Sequence, residues 1–191
     1  MRRGSPRMNM DGRNNFERAS ILLVDSSNNG MSVLTQIFAG FGAHQVQKCK
    51  SIADARELVL EREFHLIVVN DKLSDGSGFK FVRWLRRLEG QENTFCPVVI
   101  LSGYVRKSMV QKSRDCGANF LVAKPISPAV LLERVLWIGR EKRPFVYSDH
   151  YAGPDRRFHD PKPHENLGRR RNDHAGECDG GEDTFQEEFA A

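Results

Sequence analysis

The sequence is poor in cysteine, and its cysteines do not stand in a metal-binding pattern. None of the four belongs to a Cys-x-x-Cys pair or to a Cys/His pattern with metal-ligand spacing. We therefore predict free thiols in a reducing compartment rather than a zinc site or a disulfide framework. The four residues are Cys49, Cys96, Cys116 and Cys178.

Long apolar segments are also missing. No apolar run approaches the roughly 18 residues that a membrane-spanning helix requires. The arginines near the amino terminus are not followed by the apolar core of a secretory signal. We therefore expect a soluble, cytoplasmic protein that makes no contact with a membrane.

The motifs of common phosphate-binding and hydrolytic sites are absent too. No predicted strand is followed by Gly-x-Gly-x-x-Gly, and the chain has neither a P-loop nor a Gly-x-Ser-x-Gly nucleophile elbow. These absences predict that the protein is not an enzyme.

One segment of the chain is able to form a core. Of the 191 residues, 39% are hydrophobic, and the apolar runs lie between about residues 20 and 139. The polar ends cannot bury enough apolar surface to offset the entropy lost on ordering. The prediction is a disordered leader over 1–18, a folded domain over 19–140 and a polar, largely disordered tail over 141–191.

Charge is distributed unevenly along a chain whose net charge is only +4. Basic residues are frequent between 140 and 171, whereas the segment 173–191 has seven acidic residues and no lysine or arginine. Ends of this kind are usually solvated, and an interaction tail is the alternative.

Five short apolar runs alternate with five segments of helical periodicity. Such runs are typical of strands buried in a parallel sheet, and the alternation predicts helices on both faces of that sheet. Right-handed crossovers then favour a doubly wound α/β fold. The predicted strands cover 20–25, 44–49, 66–69, 97–102 and 119–124, and the predicted helices cover 30–40, 52–62, 79–89, 106–116 and the segment that starts at Pro128.

The first and last predicted helices each carry an apolar stripe that should face the core. The first stripe consists of Met31, Leu34, Ile37, Phe38 and Phe41. The last stripe consists of Val130, Leu131, Val135, Leu136 and Ile138. Ser51 and Ser127 are predicted N-caps.

Polar side chains stand where four of the predicted strands end. In doubly wound folds the functional site forms at the carboxyl ends of the strands, so these residues are the candidates for a site. Taken singly, each has an ordinary explanation as a helix cap, a turn hydroxyl or a solvated lysine. The residues are Asp25, Asn70, Ser102 and Lys124.

These residues, in this order, resemble a known family. An acid after the first strand, a serine after the fourth, and Lys124-Pro125 after the fifth are similar to the receiver domain of response regulators. The loop 72–78, Lys-Leu-Ser-Asp-Gly-Ser-Gly, is similar to the family's loop after its third strand. The resemblance covers about residues 19–140 and implies a flavodoxin-like sheet with strand order 2-1-3-4-5.

The resemblance also implies roles for the site residues. In the family, two acids after the first strand help to hold Mg²⁺, and an aspartate after the third strand accepts a phosphoryl group. A Ser/Thr hydroxyl and a lysine contact the phosphoryl oxygens. Asp25, Ser102 and Lys124 match their counterparts, and the backbone carbonyl of Lys72 stands where the family supplies a metal ligand.

Two positions depart from the family pattern. Ser26 occupies the position of the second acid, and Asn70 occupies the position of the phosphate-accepting aspartate. An amide oxygen is neutral and far less nucleophilic than a carboxylate. Each missing charge is worth roughly 4 kcal/mol toward a cation ~4 Å away, before solvation costs. We expect no cofactor, weak or absent Mg²⁺ binding at Asp25, and a metal-free network in which Lys124 turns to Asp25 and to the oxygen of Asn70.

Asp71 is the alternative acceptor. Adjacent residues of a strand point to opposite faces, so its side chain is expected to aim away from the pocket. A local bulge could turn it back. A phosphorylatable receiver that uses Asp71 therefore stays open as an alternative.

The family's aromatic switch residue is missing as well. The matching position, three before Lys124, is Leu121, and the neighbouring Phe120 should face the other side of the sheet. Together with Asn70, this absence predicts a phospho-independent domain held in one dominant state.

Basic residues are concentrated on the fourth predicted helix, which forms part of the usual partner surface in the family. They predict an acidic protein partner, such as a histidine kinase, another regulator or an output protein. The residues are Arg106, Lys107 and Lys112.

Nucleic-acid binding through the tail is a second hypothesis. The segment 151–157, Tyr-Ala-Gly-Pro-Asp-Arg-Arg, is weakly repeated at 167–172, and its arginine pairs could bind phosphates. Few aromatic residues lie between them, and the last segment is acidic, which counts against this hypothesis. The arginines concerned are Arg156, Arg157, Arg169, Arg170 and Arg171.

Overall fold

The computed structural model describes residues 16–140 and 143–156. Their centre is a five-stranded parallel sheet with strand order β2-β1-β3-β6-β7. This order confirms the flavodoxin-like, doubly wound fold expected from the sequence. The strands are β1 (Ser20–Val24), β2 (Gln45–Cys49), β3 (Leu66–Asn70), β6 (Val98–Ser102) and β7 (Phe120–Ala123).

Five α-helices connect the strands and cover both faces of the sheet. The buried residues of α1 and α5 belong to one hydrophobic cluster, and those of α2 and α3 belong to a second, together with Cys116 at the end of α4. The helices are α1 (Asn28–Gly40), α2 (Ile52–Glu61), α3 (Gly78–Leu85), α4 (Lys107–Cys116) and α5 (Pro128–Arg140).

The two clusters follow from the pleat of the strands. Successive side chains of a strand point to opposite faces, so Ile21 and Leu23 join the α1/α5 cluster, whereas Leu22 and Val24 join the other. All four are fully buried. Each such side chain stabilises the fold by roughly 1.5–3 kcal/mol through burial, which is why the run in β1 is continuously apolar.

The helices differ from the predictions mainly at their ends. The hydroxyl of Ser27 caps α1, which begins two residues earlier than predicted, and α3 ends at Leu85 rather than at residue 89. In α5, Leu131 is buried but Val130 is 41% exposed. Neighbouring residues of a helix lie about 100° apart around its axis, so the predicted stripe was too wide at Val130.

The leader prediction was wrong at its carboxyl end. Phe16 is 1% exposed and belongs to the core, where its ring lies 5.7 Å from that of Phe41. This contact places the stretch before β1 against the end of α1. Residues 1–15 lie outside the described residues.

The tail prediction was also wrong over residues 143–156. Strands β8 (Phe145–Ser148) and β9 (Tyr151–Pro154) form an antiparallel hairpin that belongs to the same compact unit as the sheet. Ala152, Gly153 and Pro154 are buried, because β9 packs against α4 and the residues that follow it. Residues 141–142 and 157–191 lie outside the described residues.

A shorter antiparallel pair follows β3. Strands β4 (Lys72–Leu73) and β5 (Gly76–Ser77) form a tight turn that leads directly into α3.

Among the described helices, none combines the length and the apolar character that crossing a bilayer requires.

Candidate functional site

Asp25, Asn70 and Lys124 meet at the carboxyl edge of the sheet. Asp25 follows β1 and is fully buried. Its Oδ2 accepts a hydrogen bond of 2.8 Å from Nζ of Lys124. Its Oδ1 accepts from the backbone N–H of Ser27 at 2.9 Å and more weakly, at 3.4 Å, from Nδ2 of Asn70. Every acceptor of the buried carboxylate therefore has a donor.

The amide of Asn70 bridges two oxygen atoms. Its Nδ2 donates to the backbone carbonyl of Lys72 at 2.9 Å, in addition to Oδ1 of Asp25. These two oxygens are the metal ligands that the family resemblance implies. The NH₂ group of Asn70 thus lies between the two oxygens and donates to both. An ionised aspartate at this position could not do so, because a carboxylate only accepts hydrogen bonds.

Lys124 supplies the positive charge of this network. Its side chain is 25% exposed, while that of its partner Asp25 is fully buried. A buried carboxylate is costly unless it is paired and hydrogen-bonded, so this ion pair stabilises the site. Ser26, the neighbour of Asp25, is exposed to solvent.

Asp71 does not join Asp25, Asn70 and Lys124, in agreement with the expectation that its side chain aims away from them. Its Oδ2 accepts a 2.8 Å hydrogen bond from Oγ of Ser102, and the residue is 7% exposed. Asp71 lies one position beyond β3, and its own carbonyl accepts from Gly78 at 3.0 Å. Its backbone N–H still donates to the carbonyl of Leu101 at 2.8 Å, so the pairing with β6 extends to Asp71, and its side chain lies on the face opposite to that of Asn70.

Ser102 belongs to this second network rather than to the first. It is fully buried, and its Oγ also accepts from the backbone N–H of Tyr104 at 3.3 Å. The structure therefore divides the candidate residues into two groups. One joins Asp25, Asn70 and Lys124, and the other joins Asp71, Ser102 and the start of the loop before α4.

Asp75 is a structural contributor that the sequence did not reveal. Its Oδ2 accepts from the backbone N–H groups of Ile52 at 2.7 Å and Ala53 at 3.0 Å, at the start of α2. These backbone donors hold the pKa of Asp75 below its ordinary value. Carboxylates are favourable at helix N-termini, but the partner helix lies more than twenty residues earlier in the chain.

Two glycines are required by close approaches around the site. A Cβ on Gly30 would collide with Oδ2 of Asp25, and a Cβ on Gly78 would collide with the backbone oxygen of Asn70. The glycine at the end of the loop 72–78 thus lets α3 begin directly beside β3.

No aromatic side chain occupies the switch position. Leu121 is half-buried and packs against the α2/α3 cluster, whereas Phe120 packs on the other face, where its ring lies 5.0 Å from that of Trp137. The two residues therefore lie on opposite sides of the sheet.

The oxygens around Asp25 that could hold a metal ion are already engaged in hydrogen bonds. Within 16–140 and 143–156, no group of three or more His, Cys, Asp or Glu side chains could hold a metal ion. Mg²⁺ requires several hard oxygen ligands. Here both oxygens of Asp25 already accept hydrogen bonds, and the carbonyl of Lys72 accepts from Asn70.

The described cysteines are buried free thiols. Burial raises the pKa of Cys49 and Cys96 to about 12 and that of Cys116 to about 11. Thiols with such pKa values are not nucleophiles at neutral pH. Cys178 lies outside the described residues.

The basic residues of α4 face solvent. Arg106, Lys107 and Lys112 are exposed, and none of them forms an ion pair with a described residue. In contrast, Arg156 pairs with Oδ1 of Asp115 at 2.8 Å and lies 3.7 Å above the ring of Tyr151. The other tail arginines, which are Arg157, Arg169, Arg170 and Arg171, lie outside the described residues.

Comparison with known proteins agrees with this architecture. A family model described as the response regulator receiver domain matches residues 21–136. The chain is 29% identical over 116 residues to the transcriptional regulatory protein GltR of Pseudomonas aeruginosa, which covers 61% of this chain and 47% of GltR. It is 22% identical to the polar-differentiation response regulator DivK of Brucella ovis, over 61% of this chain and 92% of DivK. This chain thus matches about half of the length of GltR and nearly all of DivK.

Solved structures share the fold. A putative response regulator from Chloroflexus aurantiacus J-10-fl superposes with a TM-score of 0.60 at 21% identity, covering 64% of this chain and 98% of that one. The chemotaxis protein CheY4 of Vibrio cholerae gives a TM-score of 0.58 at 22% identity, covering 63% and 98%.

Proposed function

Because the chain belongs to the response regulator receiver domain family and is a receiver-domain signalling protein of a two-component system, we propose that it signals without phosphorylation at the usual position. One observation carries this proposal. The amide of Asn70 donates to both Oδ1 of Asp25 and the carbonyl of Lys72. An amide is a poor phosphoryl acceptor, and the NH₂ group that lies between these oxygens is a donor that cannot coordinate a metal ion.

The charges around the pocket support the same proposal. Nζ of Lys124 already neutralises Asp25 at 2.8 Å. A divalent cation would have to displace both this ammonium and the amide of Asn70, and it would gain no further carboxylate nearby. Two unit charges about 4 Å apart attract each other by roughly 4 kcal/mol at an effective dielectric of 20, and the closer pair of Lys124 and Asp25 by somewhat more, so displacing the ammonium is unfavourable.

The first experiment compares amide NMR spectra with and without Mg²⁺ and beryllofluoride. We expect little response in the parent and in Asn70→Asp, and large pocket-centred shifts in the variant that combines Ser26→Asp with Asn70→Asp. That variant restores both missing carboxylates. A large pocket-centred shift in the parent would contradict the proposal.

Phosphorylation of Asp71 is the alternative to test directly. The parent and Asp71→Asn are incubated with acetyl phosphate and Mg²⁺, and the intact mass is measured. We expect no phosphoryl addition in either protein, because the Asp71 carboxylate is buried and accepts from Ser102. Addition to the parent that disappears in Asp71→Asn would replace the proposal by this alternative.

A phospho-independent receiver acts through its surface, and the exposed basic face of α4 fits an acidic protein partner. Arg106, Lys107 and Lys112 are exposed here and form no ion pair with a described residue. Charges of this kind steer association with an oppositely charged surface. The candidate partners are a histidine kinase, another regulator or an output protein, met in the cytoplasm.

This surface is tested by charge reversal. Partner recovery in a pull-down should fall when Lys107→Glu and Lys112→Glu are combined. It should be retained when Lys48→Glu and Lys50→Glu are combined, since these exposed lysines flank the end of β2. Equal recovery from both variants would exclude the α4 face.

Nucleic-acid binding by the tail stays a second proposal for the arginines beyond residue 156. Arg156 itself counts against it, because its guanidinium is engaged by Asp115 and Tyr151. Retention on DNA or RNA that weakens with salt, and is lost when Arg169, Arg170 and Arg171 are all changed to glutamine, would support it. No retention at low salt would end it.

A further inference from the structure

The hairpin β8–β9 has one strand edge whose backbone groups point outward. The carbonyl of Pro144 accepts from the N–H of Asp155 at 2.9 Å, so the backbone groups of Pro144 face β9. In an antiparallel pair, alternate residues turn their N–H and C=O groups toward the partner strand. The backbone groups of Phe145 and Tyr147 therefore point away from β9, and no described residue pairs with them.

The other edge of the hairpin is closed. Pro154 has no N–H group to offer to a further strand. The carbonyl of Ala152 lies against the turn after α4, where a Cβ on Gly117 would come within 2.5 Å of it. Of the two edges, only that of β8 is available for pairing within the described residues.

Exposed aromatic surface lies along this open edge. Tyr147 is 57% exposed and Val146 is 37% exposed. The rings of Phe145 and Tyr147 lie 4.9 Å apart, and Phe95 lies 4.9 Å from Phe145. An exposed strand edge that carries large apolar side chains favours pairing with another strand.

We propose that β8 pairs antiparallel with β8 of a second copy of this chain, with the two-fold axis at Val146. The outward N–H and C=O groups of Phe145 then exchange hydrogen bonds with those of Tyr147 in the second copy. Those of Tyr147 pair in the same way with Phe145 of the second copy. The aromatic side chains of both strands join on one face, because directly opposite residues of paired strands share a face.

The sequence around β8 explains why the occupant is a second copy and why the axis lies at Val146. The segment 143–149 reads Arg-Pro-Phe-Val-Tyr-Ser-Asp, so Arg143 and Asp149 stand at equal distances on either side of Val146. In this register each arginine lies beside the aspartate of the other copy. Centring the axis on Phe145 or Tyr147 keeps the outward groups paired but loses this match of opposite charges.

Disulfide trapping tests the register. In the proposed pairing, Val146 lies opposite Val146 of the second copy at a non-hydrogen-bonded position, where the Cα atoms are about 4.5 Å apart. All variants carry Cys178→Ser, so that the remaining native thiols are the buried ones. Val146→Cys should form a covalent dimer on mild oxidation. Ser148→Cys is the matched control, since it faces Pro144 of the second copy and should not.

Sedimentation equilibrium tests the pairing without a covalent link. Tyr147→Pro removes an outward N–H group and leaves the bonds between β8 and β9 in place, whereas Tyr147→Phe keeps both the ring and the N–H. We expect the dimer dissociation constant to rise at least about ten-fold in Tyr147→Pro and to change little in Tyr147→Phe. Circular dichroism of both variants verifies that the fold is retained.

Several outcomes would overturn the proposal. A parent that stays monomeric up to roughly millimolar concentration, a dimer unaffected by Tyr147→Pro, or a covalent dimer from Ser148→Cys but not from Val146→Cys would each exclude it. The hairpin lies at the amino ends of β6 and β7, far along the sheet from Asn70. Failure here would therefore leave the phospho-independent function untouched.

Discussion

The two ends of the sheet each hold a cation, and they accommodate it in opposite ways. At the carboxyl edge, Lys124 is partly exposed and pairs with the carboxylate of Asp25. At the amino edge, Arg86 is 1% exposed and has no described acidic partner. Its guanidinium donates to backbone carbonyls at 2.7–2.9 Å and to one side-chain amide oxygen at 3.3 Å. The acceptors are the carbonyls of Thr94, Cys96 and Gly117 and Oδ1 of Asn119.

The difference shows what each end is built for. Lys124 and Asp25 form one ion pair that a change of ligand or charge can disturb. Arg86 connects the 3₁₀ turn before β6, the loop before β7 and the hairpin, whose Phe145 ring lies 5.6 Å from its guanidinium carbon. Burial lowers the pKa of Arg86 from its ordinary value, and the hydrogen bonds that the guanidinium donates offset part of the cost of burying it. At the amino end, Arg86 thus links several separate segments through buried hydrogen bonds, whereas the carboxyl end is a polar pocket.

The largest expected effect comes from removing the cation at the amino end. Arg86→Met leaves the buried carbonyls of Thr94, Cys96 and Gly117 without their guanidinium donor, and each unsatisfied group costs about 1–3 kcal/mol. We expect the free energy of unfolding to fall by about 3 kcal/mol or more, measured by urea denaturation. Arg87→Met, at the exposed neighbour, should change it by less than about 0.5 kcal/mol. Equal effects would disprove the role given to Arg86.

A second effect concerns the docking of the hairpin on Gly117. This residue has φ +88°, and a Cβ there would meet the carbonyl of Ala152 and the side chain of Arg86. Gly117→Ala should destabilise the protein by about 2–3 kcal/mol and speed hydrogen exchange in β9.

Gly90→Ala is the matched control for this substitution. Gly90 has φ +72° but nothing lies within 4 Å of its Cβ position, so the backbone cost of about 1 kcal/mol should stand alone. If both substitutions lower the free energy of unfolding equally, a close contact between the hairpin and Gly117 is excluded.

Loss of the ion pair at the carboxyl end should lower the free energy of unfolding less than loss of Arg86 at the amino end. Lys124→Met leaves the carboxylate of Asp25 buried without its cation, and such losses cost about 3–5 kcal/mol when both partners are buried. Because Lys124 is 25% exposed, water can replace part of the interaction, and we expect about 2 kcal/mol. Lys112→Met on the exposed face of α4 is the control and should have almost no effect. A larger fall in the free energy of unfolding in Lys124→Met than in Arg86→Met would contradict the expected order of the two effects.

The smallest effect belongs to Asp75. Asp75→Asn keeps an acceptor for Ile52 and Ala53 but removes the negative charge at the start of α2, for an expected cost of about 0.5–1 kcal/mol at neutral pH. The pKa of Asp75 is lowered in the folded protein, so its contribution is present above its unfolded pKa of about 3.9 and is lost as pH falls through the lower folded value. The free energies of unfolding of parent and variant, measured by urea denaturation, should therefore converge as the pH is lowered. A difference that widens in acid would contradict this assignment.

Much of the fold could be predicted because its signals are local. The apolar run of β1 and the caps at Ser27 and Ser51 arise from contacts within a few residues, and Ser51 was among the predicted N-caps. The association of Asp25, Asn70 and Lys124 followed from the rule that parallel strands end at one edge. The alternation of strand side chains placed Asp71 outside that group, but its partner Ser102 could not be predicted from the sequence.

The hairpin escaped prediction for a different reason. Its turn, Asp149-His150, lacks the Asn-Gly or Asp-Gly pair that marks two-residue hairpins. Four-residue strands also bury too little surface to be stable alone. Its position depends on contacts with distant segments, such as those of Phe145 and Tyr147 with Phe95 and of β9 with Gly117.

The resemblance to the receiver family implied the strand order. The sequence by itself determined the doubly wound sheet and the identity of the residues at the carboxyl edge, Asn70 among them. Those features depend on periodicity and on strand ends, which are properties of short segments. The tertiary structure alone decided that Asn70 bridges Asp25 and Lys72, that Asp71 binds Ser102, and that a hairpin covers Arg86. Each of these depends on distances between side chains and turns of separate segments, and the chain sets such distances only once its core has packed.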